Sequence, residues 1–438
     1  MRVLCIFLVS LPLALATAAC SSDDTTDVPD APSGDDSGDN GQDAGPPDDA
    51  GYPAIDVDAP QVVSLGGQVL SSPKVEPVFF PGFDYASQLT DFAAKLGASS
   101  YWAAAKEYGV GPITSLTPIT LSNAEIDPAD IGTITDAYIQ SWLKARFDGT
   151  HPEFGTTPDP NAIYTLFYPT STVIYLGGGG GGGDGGAPDA GNFGSQKSCS
   201  SFGGYHGQVQ IGTQLIAYAV IPECGTFGNL VGANAETATT SHELIEASTD
   251  PYPDAQPAYV QVDDDHINWE FFLGGGEIGD MCAQFPDSFY VPPDFDFEVQ
   301  RFWSNQSAKA GHDPCQPSTG SAYFNTMPVF TDSVTTRGNT VTKGIMTPVG
   351  TPKTIELDLF SDAPTSGPWT VSATAYARSG TAPVTISFDT NQGQNGDKIH
   401  MTVTATGAFS GTTTKTVSLL ITSTLGVRQK QWIGILGQ

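Results

Sequence analysis

The sequence predicts an α+β main domain over residues 65–318, followed by an all-β sandwich over residues 319–438. Up to about residue 316, strand-like and helix-like patterns are mixed. The rest of the chain has short alternating runs rich in Thr, Ser and Val, with turn residues between them, which is typical of a sandwich. With 438 residues, 39% of them hydrophobic, the chain is long enough for two or three domains with their own cores.

Residues 1–20 have the pattern of a secretory signal. Arg2 precedes an apolar run that ends in Thr-Ala-Ala-Cys, which resembles a bacterial lipobox. Cys20 is therefore the expected lipidation site, and ordinary signal cleavage near Ala19 is the alternative. A lipid on Cys20 would hold the protein at the outer membrane or cell surface of a Gram-negative bacterium without spanning the bilayer. No later run is long and apolar enough to predict a membrane span.

Two segments are predicted to lack fixed structure. Residues 21–64 read as a disordered acidic tether, because residues 21–60 contain twelve Asp and neither Lys nor Arg. Residues 177–191 read as a flexible insert that begins with seven consecutive glycines. The net charge of −31 would repel the phosphates of nucleic acid, so nucleic acid is excluded as a partner.

The main domain is predicted to contain strands at 75–80, 113–121, 162–169 and 214–222, and helices at 85–109, 130–147 and 234–249. The strands are rich in aromatic and β-branched residues. The first helix is expected to break near Gly97. For the last helix, Asn234 is the expected N-cap and Pro251 the expected stop. The sandwich strands are predicted in runs such as "TIELDLFS", "WTVSATAYA" and "TVSLLITS".

Four cysteines remain after the signal, and an even number in an exported chain predicts two disulfides. Four cysteines allow three pairings. Closeness along the chain favours Cys199–Cys224 and Cys282–Cys315. A zinc site built from these cysteines is less favoured, because no two of them have C-x-x-C spacing.

The stretch "TTSHELIEASTDPYPDA", residues 239–255, is the main candidate for chemistry. On a helix, His242 and Glu246 share one face, and this spacing lets two side chains bind one ion. Zinc accepts both imidazole nitrogen and carboxylate oxygen, and Glu243 has the position of the general base in H-E-x-x-H enzymes. The alternative is that His242 and Glu246 pair with each other, or with an Arg or Tyr, in a structural network.

A metal site of this kind needs a third ligand. Asp280, in "GGGEIGDMCAQF", is the first candidate, because the glycines before it allow the backbone to approach closely. Glu277 and His206 are the runners-up, and His206 also reads as a hydrogen-bonded structural histidine. The acidic run at 263–266 reads as a solvated turn or a calcium-like oxygen site.

Five short blocks occur in an order that resembles bacterial relatives of the exordium (phosphate-induced protein 1) family: Tyr205-His206-Gly207, "YAVIPEC", "SHELIEASTDP", "EIGDMC" and Trp303-Ser304-Asn305. The resemblance covers roughly residues 70–316 without the glycine insert. Plant members are secreted proteins linked to the cell wall, and bacterial members with the His-Glu pair resemble zincin-type metallopeptidases. The resemblance implies His242, Glu246 and Asp280 as ligands of Zn²⁺ and Glu243 as the base.

Two functions follow as expectations. The first is a surface-anchored zinc-dependent hydrolase that acts on protein or peptide, with a zincin-like fold in which a sheet packs against the helix of His242. The second is a non-catalytic, exordium-like cell-surface binding or adhesion protein, with a cell-surface polymer as its partner. Glu243 distinguishes the two functions, because a purely structural metal site needs no base beside its ligands.

Overall fold

The computed structural model describes residues 51–122, 133–176, 196–336, 338–377, 382–409 and 414–438. The predicted signal with Cys20, most of the predicted tether and the glycine insert at 177–191 lie outside the described residues. The described chain is mostly β-structure, with several helices in its first part. In the part of the chain that the structure describes, no helix has both the length and the apolar character needed to cross a membrane.

The first region contains strands that are mostly short. In chain order they are β1 (Val62–Ser64), β2 (Lys74–Phe79), β3 (Thr114–Ser115), β4 (Ile119–Thr120), β5 (Thr133–Thr135), β6 (Ala162–Tyr168), β7 (Val173–Leu176), β8 (Gln196–Lys197), β9 (Tyr205–Ile211), β10 (Gln214–Pro222), β11 (Thr226–Phe227), β12 (Leu230–Val231), β13 (Tyr259–Val262), β14 (Phe289–Tyr290), β15 (Val299–Gln300), β16 (Phe302–Trp303) and β17 (Cys315–Gln316).

Among the described residues, the α-helices all belong to this first region. They are α1 (Ala86–Leu96), α2 (Ser100–Ala103), α3 (Asp136–Ala145), α4 (Ala233–Thr249), α5 (Asn268–Leu273), α6 (Asp280–Ala283) and α7 (Asn305–Lys309), with 3-10 turns at Ala104–Tyr108 and Asp264–His266.

The second region is built from β-strands. They are β18 (Phe324–Pro328), β19 (Asp332–Thr335), β20 (Val341–Met346), β21 (Lys353–Ser361), β22 (Trp369–Tyr376), β23 (Val384–Phe388), β24 (Gln392–Gly393), β25 (Lys398–Ala405), β26 (Thr416–Leu425) and β27 (Arg428–Gly437).

The central sheet of the first region has the order β3-β2-β6-β10-β9, and β4 also pairs with β2. Strands β2, β6 and β10 run parallel, and β9 joins the edge antiparallel. Alternate residues of β10 point to opposite faces, as the pleat requires. One face packs in the same core as α1 and α4, and the other packs against the apolar side of α3. Because both faces are covered, the central strands are buried along most of their length.

The second region consists of two sheets in a sandwich-like arrangement. One has the order β18-β21-β25-β23 and the other β19-β20-β27-β26-β22-β24. Aromatic side chains join the sheets: the ring centroids of Phe324 and Trp369 lie 5.4 Å apart, and those of Phe360 and Trp432 lie 6.3 Å apart. All the strand pairs in these two sheets are antiparallel except β20 with β27. The predicted β-rich second region is therefore present.

The two regions share one continuous hydrophobic core. The ring of Trp269, in α5, lies 5.6 Å from that of Trp303 and 5.6 Å from that of Trp432 in β27. Polar contacts support this junction: the buried Lys430 of β27 donates to Asp287 and Asp313 of the first region. The sandwich therefore packs directly on the region that carries the candidate site.

The folded part begins earlier than the sequence pattern predicted. Residues 51–64, assigned to the tether, lie against the folded body. Val62 belongs to β1, which pairs with β13, and Ala54 donates its backbone N–H to Asn395 in the sandwich. Ile55 and Val57 pack against the core. The physical reason is composition, because these apolar residues supply the surface that the Asp-rich part before them lacks.

Two boundary predictions differ from the structure. Asn234 lies inside α4, and the residue at the N-cap position is Gly232, whose φ of 58° is favoured by glycine. The predicted helix at 130–147 instead has a short strand, β5, before α3 begins at Asp136. Thr135 caps α3 by accepting a hydrogen bond from the N–H of Tyr138, which fixes the start of the helix.

The structure contains the disulfides Cys199–Cys224 and Cys282–Cys315. The first joins the turn before β9 to the end of β10. The second ties α6, which carries Asp280, to β17 at the end of the first region. Disulfides form and persist in oxidising compartments, so this framework favours an extracytoplasmic protein.

Candidate metal centre

Helix α4, which carries His242, is buried on all sides from residue 235 to residue 249. Its sequence has few large apolar residues and many Thr and Ser, which are weak helix formers. Their hydroxyls are satisfied inside the helix: Thr240 donates to the carbonyl of Glu236, and Ser248 donates to that of Leu244. This back-bonding lets a polar helix lie in a core without unpaired hydroxyls, so burial rather than propensity keeps the helix in place.

The three predicted ligands of the candidate site converge. His242 Nε2 lies 3.2 Å from a carboxylate oxygen of Glu246 and 4.0 Å from one of Asp280. The backbone N–H of Asp280 also donates to Glu246 Oε1 at 3.1 Å. In a tetrahedral zinc site, bonds of about 2.0–2.2 Å place neighbouring ligand atoms roughly 3.3–3.6 Å apart. The spacing of His242 and Glu246 is close to this range, and Asp280 is slightly farther away, with one ligand atom of each of the three residues within 4.8 Å of the others.

Both runners-up, His206 and Glu277, lie in the same cluster. His206 Nε2 lies 3.5 Å from Glu277 Oε1, and its Nδ1 lies 3.6 Å from Glu246 Oε2 and 3.7 Å from Glu243 Oε2. Strand β9 presents His206 to α4, because His206 pairs with Ala219, which faces the α4 side of the sheet. Glu246 therefore lies between two histidines, and Glu243 lies beside one of them.

The cluster consists of six side chains that are between 0% and 4% exposed: His206, His242, Glu243, Glu246, Glu277 and Asp280. Within the described residues, His206 Nε2, His242 Nε2, Glu243 Oε1 and Asp280 Oδ1 are buried without a hydrogen-bond partner. A buried polar atom without a partner costs about 1–3 kcal/mol, and such atoms are rare in folded proteins. Imidazole nitrogen and carboxylate oxygen are ligands that zinc prefers, so the residues present fit the ion that the motif implies.

Electrostatics within the cluster favour one proton shared by His242 and Glu246. Burial opposes charge on His242, but the Glu246 carboxylate outweighs it and raises the pKa of His242 to about 10. Burial opposes charge on Glu246 as well, but the pairing with His242 outweighs this effect and lowers the pKa of Glu246. Burial and the negative charge of Glu246 raise the pKa of Asp280 to about 8. Without a metal, the cluster is thus an ion pair beside a carboxyl group that is hard to ionise.

Gln300, in β15, is a site residue that the sequence did not indicate. Its side-chain nitrogen lies 2.7 Å from His242 Nδ1 and donates to the carbonyl of Gly279 at 2.9 Å. In this orientation a neutral His242 accepts at Nδ1 and carries its proton on Nε2, whereas the imidazolium paired with Glu246 has a proton on both nitrogens and needs an acceptor at Nδ1. An ion on Nε2 requires the proton on Nδ1, which Gln300 would accept through Oε1 after its amide rotates by about 180°. A buried Gln in a two-residue strand has no sequence pattern that marks it.

Glycines close the site from outside. A Cβ at Gly275 would lie 1.6 Å from Asp280 Oδ2, and one at Gly204 would lie 2.8 Å from Glu243 Oε1. A Cβ at Gly279 would lie 2.7 Å from both Glu246 Oε1 and His242 Nδ1. Only residues without a side chain fit at these three positions. The glycines of "GGGEIGD" thus allow the close approach that the sequence predicted, and they cover the cluster.

The acidic run at 263–266 lies elsewhere. Asp263 caps the 3-10 turn Asp264–His266 and lies 2.8 Å from His266 Nδ1. Asp265 pairs with Lys343 of the sandwich at 3.0 Å. Among the residues that the structure describes, this run forms no group of three metal-ligating side chains. Its role in the fold is to join the two regions.

No family model matches the chain, and no curated protein matches it. Solved structures that are similar over a part include the E. coli chaperone DraB, with 9% identity, a TM-score of 0.18, and 26% of this chain and 53% of that chain covered. Domains 4 and 5 of the S-layer protein SbsC have 17% identity, a TM-score of 0.16, and 25% and 54% covered. The Salmonella enterica SafA pilin in complex with the SafB chaperone has 12% identity, a TM-score of 0.19, and 27% and 55% covered. The chain spans about half the length of each of these structures.

Proposed function

We propose that the chain is an exported, zinc-dependent hydrolase of protein or peptide substrates. One observation carries the proposal: His242, Glu246 and Asp280 converge at ligand spacing, with Glu243 next to the first of them on the same helix. We also propose a relationship to bacterial exordium-like proteins, which is supported by the clustering of the matching sequence blocks around the site. Of the five blocks that resemble that family, three contain His206, the His242 helix or Asp280, and Trp303 of another donates to the carbonyl of Ile278.

In this proposal His242, Glu246 and Asp280 hold the ion, and Glu243 accepts a proton from the water that attacks the substrate carbonyl. A bound divalent ion would acidify that water and polarise the carbonyl. Burial raises the pKa of Glu243, which brings its basicity towards the working range of a general base. Gln300 orients the His242 ring from the side away from Glu246.

The burial of the cluster favours a second function. Catalytic zinc sites keep one position open to water or substrate, whereas structural sites are closed. Here the side chains of the cluster are 0–4% exposed, and the backbone at Gly204, Gly275 and Gly279 lies so close to them that an added Cβ would clash. In this alternative, the metal stabilises a non-catalytic surface protein that binds a cell-surface polymer. Hydrolysis would require the segment 274–279 to move away from α4.

Metal content and hydrolysis of the wild-type protein separate the two functions. For the hydrolase we expect at least about one zinc ion per chain after gentle purification and zinc addition. We also expect cleavage of a labelled mixed-protein substrate, lost with a chelator and restored by zinc. Metal without cleavage would establish the binding protein instead. A chain that retains no metal would exclude both metal-based functions.

We also propose that Cys20 carries the lipid that anchors the protein at the outer membrane or cell surface. The small residues before Cys20 and the Asp-rich segment after it support this proposal. Cells grown with a fatty-acid probe should label the wild-type protein but not the Cys20→Ser variant. Equal label on both proteins would show that Cys20 is not the acceptor.

A further inference from the structure

We propose that the centre binds two divalent ions that share Glu246 as a ligand. The inference rests on the proposed metal-dependent function and deepens it. The first ion lies among His242, Glu246 and Asp280, as above. The second lies among His206, Glu246 and Glu277, where one ligand atom from each side chain lies within 4.8 Å of the others.

The second group has the ligand chemistry of a site in its own right. It combines an imidazole with two carboxylates and draws on three separate elements: strand β9, helix α4 and the segment before α6. His206 Nε2 is directed at Glu277 Oε1 at 3.5 Å, a separation that an ion between them would bridge. Because the three ligands come from distant parts of the chain, the site forms only in the folded protein, and the ion can bind there only after folding.

His206 itself is the strongest observation. Its side chain is 1% exposed, and its Nε2 is buried without a hydrogen-bond partner in the described residues. The other ring nitrogen faces Glu243 Oε2 at 3.7 Å, as the second nitrogen of a ligating histidine commonly faces a carboxylate. An ion on Nε2 would satisfy the atom that the fold leaves unpaired, and Glu243 would hold the ring in position.

Charge balance favours two ions over one. Four carboxylates, those of Glu243, Glu246, Glu277 and Asp280, lie with two histidines in a region closed to solvent. No Lys or Arg of the described residues forms an ion pair with Glu243, Glu246 or Asp280. Burying uncompensated carboxylates is costly. One divalent ion would balance only two of the three carboxylates of Glu243, Glu246 and Asp280, so a single ion leaves negative charge in the buried cluster.

The position of Glu246 explains how the sites join. Its Oε2 lies 3.2 Å from His242 Nε2, and its carboxylate also belongs to the group in which one ligand atom each of His206, Glu246 and Glu277 lies within 4.8 Å of the others, so one carboxylate serves both groups. Two-metal sites in hydrolytic enzymes place their ions about 3.5–4 Å apart, which a shared carboxylate can span. The Glu at position 246, where the zinc-protease motif has a second His, is thus the residue that lets the helix serve two ions.

Zinc stoichiometry tests the proposal. Protein stripped with a chelator and reloaded with Zn²⁺ alone should hold about two ions per chain in the wild type and about one in His206→Ala. His400→Ala is the matched control, because it removes an exposed histidine paired with Asp389 in the sandwich, and it should keep both ions. If His206→Ala does not fold, as judged by circular dichroism, Glu277→Gln keeps the side-chain shape and should also hold about one ion.

Manganese loading gives a readout that does not depend on activity. Two Mn²⁺ ions about 3.5–4 Å apart give an exchange-coupled electron paramagnetic resonance spectrum, which His206→Ala should convert to that of an isolated ion. A wild type with one ion that hydrolyses substrate overturns the two-ion proposal and leaves the hydrolase standing. A wild type with two ions and no hydrolysis supports the two-ion site and excludes the peptidase. A wild type without zinc overturns both.

Discussion

His242→Ala should lose the ion held by His242, Glu246 and Asp280, whereas Glu243→Gln should keep it and lose activity. His242 supplies the nitrogen among these three ligands, and two carboxylates alone hold zinc poorly. Glu243→Gln preserves side-chain shape and removes the base, so the rate should fall by about 10²–10⁴-fold. Metal analysis of each variant and the initial rate of hydrolysis are the two measurements needed.

Comparing the metal content and the rate of the two variants tests whether Glu243 is the base or a metal ligand. Glu243→Gln with wild-type metal content and a wild-type rate would show that Glu243 is not the base. Loss of metal in Glu243→Gln would show that Glu243 holds an ion or the ring of His206, which it faces at 3.7 Å. Glu236→Gln is a suitable control on the same helix. It replaces a buried carboxyl two turns before His242, outside the cluster, and should leave metal content unchanged.

Gly279→Ala should weaken zinc binding by about 10–100-fold, the range seen when a group that orients metal ligands is disturbed. The new Cβ would lie 2.7 Å from both Glu246 Oε1 and His242 Nδ1, so one of the two ligands must move. The φ of Gly279 is −70°, so alanine causes no backbone strain, and the effect is steric. Overpacking of this kind also destabilises the fold by about 1–3 kcal/mol.

Gly338→Ala is the matched control for this substitution. Its Cβ would meet Phe271 Cζ at 3.6 Å, an ordinary contact, and no side chain of the cluster lies within 4 Å of it. Titration calorimetry with zinc and a thermal melt measure both variants. If Gly279→Ala binds zinc as tightly as Gly338→Ala, the closure of the site by the segment around Gly279 does not influence the ligands.

Local patterns in the sequence predicted most of what lies near the site. The four-residue spacing of His242 and Glu246 placed both on one helix face, and the glycines before Asp280 indicated the close approach that the structure contains. The same reasoning missed the start of α4. A glycine with positive φ at position 232 sets that boundary, and a sequence does not reveal φ.

Other features depend on tertiary packing and have no local sign. Gln300 reaches His242 because the short strand β15 crosses α4, and the sequence around it differs little from any buried strand. The burial of α4 on all sides is equally hidden, because its Thr and Ser residues read as a polar surface until their hydroxyls are seen to bond back to the helix. Closure of the centre follows from both and was not predicted.

The packing of Trp269 against Trp303 and Trp432 joins the two regions, and it limits how this chain can be recombined in evolution. A domain that recurs in different proteins has a complete hydrophobic core of its own. Here Trp432 and Lys430 of the last strand complete surfaces that belong to the first region, beside Trp269 and Asp313. A gene that lost the part encoding the second region would produce a protein with exposed indole rings, in which Asp287 and Asp313 keep Arg301 but lose Lys430 as a partner. The two regions are therefore expected to be inherited together, with any exchange confined to surface loops.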